Sequence, residues 1–184
     1  MDAPLSCWHC AGNVSARALF CHGCGAIQPP GAADPFTRLG LVASFELDMA
    51  AIDRQLAGFA RILAPARFAA RGEAAAAHAA AHRQAQTRAA VVLRDPAARA
   101  RALLDLTGDA PARPANGGPW EIALAAAPDA GARTRALEAV KTEMQGELRL
   151  LLDAFRLGDP TLAATRLARV EAMAMALDAA RRAG

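Results

Sequence analysis

Three times the chain reads Asp-Pro, at Asp34-Pro35, Asp95-Pro96 and Asp159-Pro160. An aspartate can accept the orphan N–H groups of a first helical turn, and a proline just inside the helix sacrifices no hydrogen bond there. Each pair therefore marks a helix start. A further start lies at Asp48, after which Ile52, Leu56, Phe59 and Leu63 recur every three or four residues on one face. Pro65 disfavours helical geometry at Ala64, so this helix stops near Leu63 or Ala64. Beyond Gly72, an alanine-rich helix from Glu73 to Leu93 can fold back antiparallel, and the Asp95-Pro96 helix ends before Gly108. Leu137, Val140, Met144, Leu148, Leu151 and Phe155 predict a long helix over 130–157, and Gly158-Asp159-Pro160 reverses the chain. Val170, Met173, Ala174 and Leu177 form the seam of the last helix, with Met144, Met173 and Met175 as core filler. Adding a short helix over 120–127 completes a three-helix bundle. The absence of tyrosine and the abundance of Ala, Arg and Leu agree with an all-α fold class.

The N-terminus follows other rules. Cys7-Trp-His-Cys10 and Cys21-His-Gly-Cys24 are two C-x2-C pairs separated by ten residues. Each can close a knuckle on a metal, and together they supply four thiolates in a tetrahedron, the arrangement of a closed structural zinc site. Gly12, Gly23 and Gly25 stand where a knuckle often needs positive φ. Iron suits the same cage, which leaves a rubredoxin-like electron carrier or redox sensor as the alternative function. Paired redox disulfides lack the strand-helix context that such motifs use. His9 and His22 read as spacers, and Trp8 as packing against the knuckle. The segment is too short to fold on its own core, so metal supplies its stability.

Gln28-Pro-Pro-Gly-Ala-Ala33 and the stretch 109–119 are linkers, which gives a four-cysteine module over 1–28, a helical domain over 34–108 and a bundle over 119–184. The net charge of +3 comes from arginine, with ten Arg against seven acids over 34–108 and a balance on either side, too diffuse for a nucleic-acid footprint. No apolar run reaches membrane-span length and no signal peptide opens the chain, so the expectation is a cytoplasmic protein that binds neither nucleic acid nor membrane. No catalytic constellation is visible, and the protein is expected not to be an enzyme. His78 and His82 lie four apart without the Glu of an H-E-x-x-H pattern, and read as a polar helix face.

Asp34-Pro-Phe36, Leu39-Gly-Leu41, Phe45-Glu-Leu-Asp48, the helix to Leu63, Pro65 with Arg67-Phe68, and Leu93-Arg-Asp-Pro96 with Arg99-Ala100 and Leu103-Leu104 together resemble the J-domain of the HscB family, co-chaperones of iron–sulfur cluster assembly. Some members carry a preceding four-cysteine zinc module opening Cys-Trp-x-Cys, as here. The resemblance implies a DnaK/HscA-type chaperone as partner, met by Arg54, Arg61, Ala64, Pro65, Ala66 and Arg67, although an ordinary solvated face is the competing reading of the arginines. It also implies an IscU-type scaffold as client. Trp120, Ile122 and Leu124 are the candidate client contacts, with bundle core as the other assignment. The family's turn reads His-Pro-Asp, whereas this chain has Ala64-Pro65-Ala66. Alanine supplies neither the hydrogen bonds nor the charge by which that turn drives ATP hydrolysis in the partner, so stimulation is expected to be impaired.

Overall fold

The structure, a computed structural model, describes residues 5–15 and 17–183. A two-stranded antiparallel ribbon, β1 (Leu5–Ser6) with β2 (Asn13–Val14), opens the chain. Helices α1 (Pro35–Leu39), α2 (Met49–Ile62) and α3 (Glu73–Arg94) follow, with two 3₁₀ turns, Pro65–Arg67 and Ala69–Arg71, between α2 and α3. Then come α4 (Pro96–Thr107), α5 (Gly118–Ala125), α6 (Ala130–Arg156) and α7 (Pro160–Arg182). The all-α expectation holds.

The caps are the predicted ones. Asp34, Asp48, Asp95 and Asp159 each stand in extended geometry and accept first-turn N–H groups. Gly108 and Gly158 close α4 and the end of α6 at positive φ, where a Cβ would crowd the preceding carbonyl. Ala64, at φ −57° and ψ 131°, adopts the extended conformation that the following proline demands.

Packing cuts the chain into two compact units that differ from the three segments drawn from linker composition. The first contains the metal module, α1, α2 and α3; the second contains α4 to α7 together with Ser44–Glu46. In the first unit the core joins Ile27 to Leu63, Phe68, Ala75 and Ala79, with Leu19, Phe20 and Phe59 packed against it. The Pro-rich stretch after Gln28 therefore follows the shared core and does not separate two cores. His82 corrects the reading of a polar helix face: it is 8% exposed and its Nε2 lies 2.9 Å from the Gln28 carbonyl oxygen.

In the second unit Phe45 stacks on Phe155 at 4.8 Å, and Arg99 donates from Nε to the Phe45 carbonyl at 2.8 Å. Leu104, Leu151, Ala163 and Leu167 surround them. A second cluster gathers Leu124, Val140, Met173, Ala176 and Leu177 between α5, α6 and α7. Met173 is core as expected, but Met175 and Ala174 are exposed, since α7 turns them away from the seam. The stretch between α4 and α5 is pinned: Arg101 holds Glu171 through two hydrogen bonds, at 2.5 and 2.6 Å, and donates to the Pro111 carbonyl at 3.0 Å. Further along, Gly117 presses on α7 so closely that a Cβ would stand 2.6 Å from the Ala176 Cβ.

Candidate metal centre and partner surfaces

The two knuckles are built alike. Cys7 N–H donates to the Gly12 carbonyl and Ala11 N–H to the Cys7 carbonyl; Cys21 N–H donates to the Ala26 carbonyl and Gly25 N–H to the Cys21 carbonyl. The corresponding residues Ala11 and Gly25 both have positive φ, 58° and 72°. Of the three glycines expected to be left-handed, only Gly25 is; in the first knuckle a non-glycine takes that conformation.

These turns bring the four sulfurs within 4.8 Å of one another. Cys7 Sγ lies 3.7 Å from Cys24 Sγ, and Cys10 Sγ 3.8 Å from Cys21 Sγ. A zinc–thiolate bond of about 2.3 Å gives a tetrahedron with edges of about 3.8 Å, so the donor set fits a single tetrahedral ion. The charges fit as well. Burial opposes the Cys7 thiolate, but the N–H groups of Cys10 and His9, the Gln28 amide and Cys24 outweigh it and bring Cys7 down to about 6. At Cys24 the Ala26 N–H favours the thiolate, yet burial and the sulfurs of Cys10, Cys21 and Cys7 push it up to about 12. Four thiolates this close need a cation among them. A closed four-sulfur shell leaves no position for substrate, which suits structural work.

Gln28 and Ile27 tie the centre to the helices, a role that no local pattern announces. Gln28 Nε2 donates to Cys7 Sγ at 3.3 Å and to the Ala26 carbonyl at 2.8 Å, while its own carbonyl meets His82. Trp8 donates from Nε1 to the Ile27 carbonyl at 2.6 Å, and its ring meets His78 of α3 edge-on.

At the α2–α3 connection, Leu63 and Phe68 are 0% and 2% exposed and anchor both sides of the turn. Pro65, Ala66 and Arg67 project into solvent between them, with Ala64 half-buried. The tip is thus held in a defined shape but offers only methyl groups and ring carbons where a donor and a carboxylate would act. Arg61 and Arg67 are exposed, whereas Arg54 is paired with Asp48 at 2.8 Å.

The three candidate client residues part company. Ile122 is 72% exposed, and Leu124, at 4%, is a core residue with no surface to offer a partner. Trp120 is half-buried, donates from Nε1 to Glu143 at 2.8 Å and lies 5.3 Å beneath the Arg169 guanidinium. Arg169 in turn bonds Glu143 at 3.0 Å and Glu147 at 2.8 Å.

A four-cysteine module joined to a two-helix hairpin and followed by a helical bundle is the element order that the sequence led us to expect. Solved structures with this fold include two HscB proteins. Human co-chaperone protein HscB superimposes with a TM-score of 0.74 at 20% identity, covering 97% of this chain and 98% of its own. Chaperone HscB from Vibrio cholerae gives 0.63 at 22% identity, covering 82% of this chain and 97% of its own. No protein-family model matches the sequence, and no curated protein aligns with it. The likeness is one of fold.

Proposed function

We propose that this chain is an HscB-like co-chaperone or adaptor of iron–sulfur cluster assembly, a cytoplasmic binding protein that is not an enzyme. The observation that carries the reading is the match in fold over 97% of the chain to a co-chaperone. In this reading the four cysteines hold a structural zinc ion. The hairpin meets a DnaK/HscA-type chaperone through Arg61, Arg67 and the tip, with Arg54 partly neutralised by Asp48. The bundle meets an IscU-type scaffold through Ile122 and the open edge of Trp120.

The tip is silent. Its backbone is formed, so weak, salt-sensitive binding to the chaperone survives through the arginines, while acceleration of ATP hydrolysis does not. Single-turnover ATPase of a DnaK/HscA-type chaperone tests this directly. The unmodified chain should leave the rate unchanged, and Ala64→His with Ala66→Asp together should raise it. Stimulation by the unmodified chain would refute the silent tip; no stimulation by the double variant would leave the adaptor role alone. The same cage suits iron, and a chain purified without added metal that shows thiolate-to-iron bands in the visible spectrum would favour an electron carrier instead.

A further inference from the structure

The four sulfurs differ in their access to solvent. Cys7 and Cys21 are buried, whereas Cys10 and Cys24 are exposed. Each exposed sulfur has a buried one from the other knuckle beside it, Cys24 Sγ at 3.7 Å from Cys7 Sγ and Cys10 Sγ at 3.8 Å from Cys21 Sγ. Cys24 also lines a cleft of about 340 Å³ with Trp8, His9 and Arg71, ample room for a small oxidant.

The cage holds more than itself in place. The Gln28 side-chain amide donates to Cys7 Sγ at 3.3 Å, and the Gln28 backbone carbonyl is the partner of the buried His82. Trp8, set between the ligands Cys7 and Cys10, donates to the Ile27 carbonyl at 2.6 Å. Ile27 packs in one cluster with Leu63 and Phe68, the buried residues on either side of the Ala64-Pro65-Ala66 tip. Contacts thus run from sulfur to tip inside a single compact unit. The module has little else to keep its shape, since its own buried cluster is Val14 with the two ligands Cys7 and Cys21.

We propose that the four-cysteine centre is a peroxide-responsive switch for the hairpin: oxidation of Cys24 with Cys7, and of Cys10 with Cys21, opens the cage, frees residues 26–28 and loosens the α2–α3 turn. With a cation among them the sulfurs are thiolates, and the exposed ones meet the oxidant. Cys24 Sγ attacks one oxygen of hydrogen peroxide, the O–O bond breaks and hydroxide leaves, which gives a sulfenic acid. The Cys7 thiolate then attacks Cys24 Sγ, the S–S bond forms and a second hydroxide leaves. Two thiolates have lost two electrons to the peroxide oxygens, and solvent protons turn both hydroxides into water. Cys10 and Cys21 repeat the step with a second peroxide. A disulfide carries no charge with which to hold a cation, so the closed shell is lost, together with the charge that strengthens the bond from Gln28 to Cys7. That the tip meets a partner rests on the proposed function; the switch itself does not, and its test uses no partner.

The full, metal-loaded chain is treated with hydrogen peroxide in buffer free of reductant. Released metal is read with a chromogenic chelator, disulfides by mass spectrometry after free thiols are blocked, and opening by hydrogen exchange at individual amides. Metal release should track the joining of Cys7 to Cys24 and of Cys10 to Cys21. Amides over 63–82 should then exchange roughly tenfold faster or more, while those of α6 and α7 keep their protection. Dithiothreitol with zinc should restore both metal and protection, and chelation under reducing conditions should reproduce the same exchange pattern. Oxidation confined to methionines with the metal retained, disulfides formed within each knuckle, or metal release that leaves exchange over 63–82 unchanged would each overturn the proposal.

Discussion

Ile27→Ala tests whether the metal module and the hairpin are one folding unit. Ile27 is 1% exposed, and its neighbours belong to the α2 end, the turn and α3. Truncation removes three carbons, worth about 2.4 kcal/mol at ~0.8 kcal/mol each in transfer alone. The hole that remains is lined by Ala75 and Ala79, which are too short to fill it, so a cavity term adds to the loss. A cost of about 3–5 kcal/mol follows, a large part of the roughly 5–15 kcal/mol that holds a domain together. Urea titration with hydrogen exchange read at individual amides is the assay. Amides of α2 and α3 should lose protection together with those of residues 19–28, whereas α6 and α7 should be spared. A cost below about 0.5 kcal/mol in α2 and α3 would show that the two cores are independent.

Gly117→Ala drives a Cβ to within 2.6 Å of α7 and should cost about 1–3 kcal/mol, seen as a lower urea midpoint for α5 and α7 amides; an unchanged midpoint would mean that the approach relaxes freely. Ala11→Gly relieves a left-handed alanine in the first knuckle and should slow chelator-induced metal release, reflecting about 1 kcal/mol; faster release would refute the strain. The first unit should also weaken in acid. Burial lowers the pKa of His82 despite its bond to Gln28, so its contribution is complete above the unfolded value of about 6.5 and is lost as pH falls below it. His82→Gln should therefore flatten the loss of stability between about pH 7 and pH 5, and an equally steep loss in the variant would assign it elsewhere. At lower pH, Asp34 takes over: burial raises its pKa, but the Thr37 hydroxyl and the N–H groups of Thr37 and Phe36 depress it overall. Its stabilisation is complete above the unfolded value near 4 and fades as pH falls through the folded one, so Asp34→Ala should remove that step from an acid titration.

What could be read from the chain alone was whatever short-range chemistry dictates. Asp34, Asp95 and Asp159 cap helices because an aspartate and a proline a residue apart leave the backbone few alternatives, and the C-x2-C pairs fix their own knuckles. The residues that escaped owe their places to distant partners. Gln28 meets His82 across 54 positions, and nothing around either residue encodes the other. Phe45 sits just ahead of α2 in sequence but packs on Phe155, and no local pattern joins the two. Met175 and Ala174 lie within a turn of the buried Met173, and seam phase in an alanine-rich helix is poorly marked because alanine suits either face. At the tip and the bundle surface, sequence named positions but not exposure, and only the packing separates Ile122 from Leu124.

The stretch after α4 has the composition of a flexible tether, yet Arg101 fastens it at Pro111 and close contact with Ala176 fastens it at Gly117. Only residues 112–116 lie between these two anchors, and Arg113 among them stands 3.8 Å from Glu171, so the contour length of the stretch does not set how far α5 can wander. A protease that nicked this short bight would produce two fragments still clasped by the Arg101–Glu171 pair and by the core that Ala100 and Leu104 share with Leu151 and Leu167, and the cut would pass unnoticed until the protein was denatured.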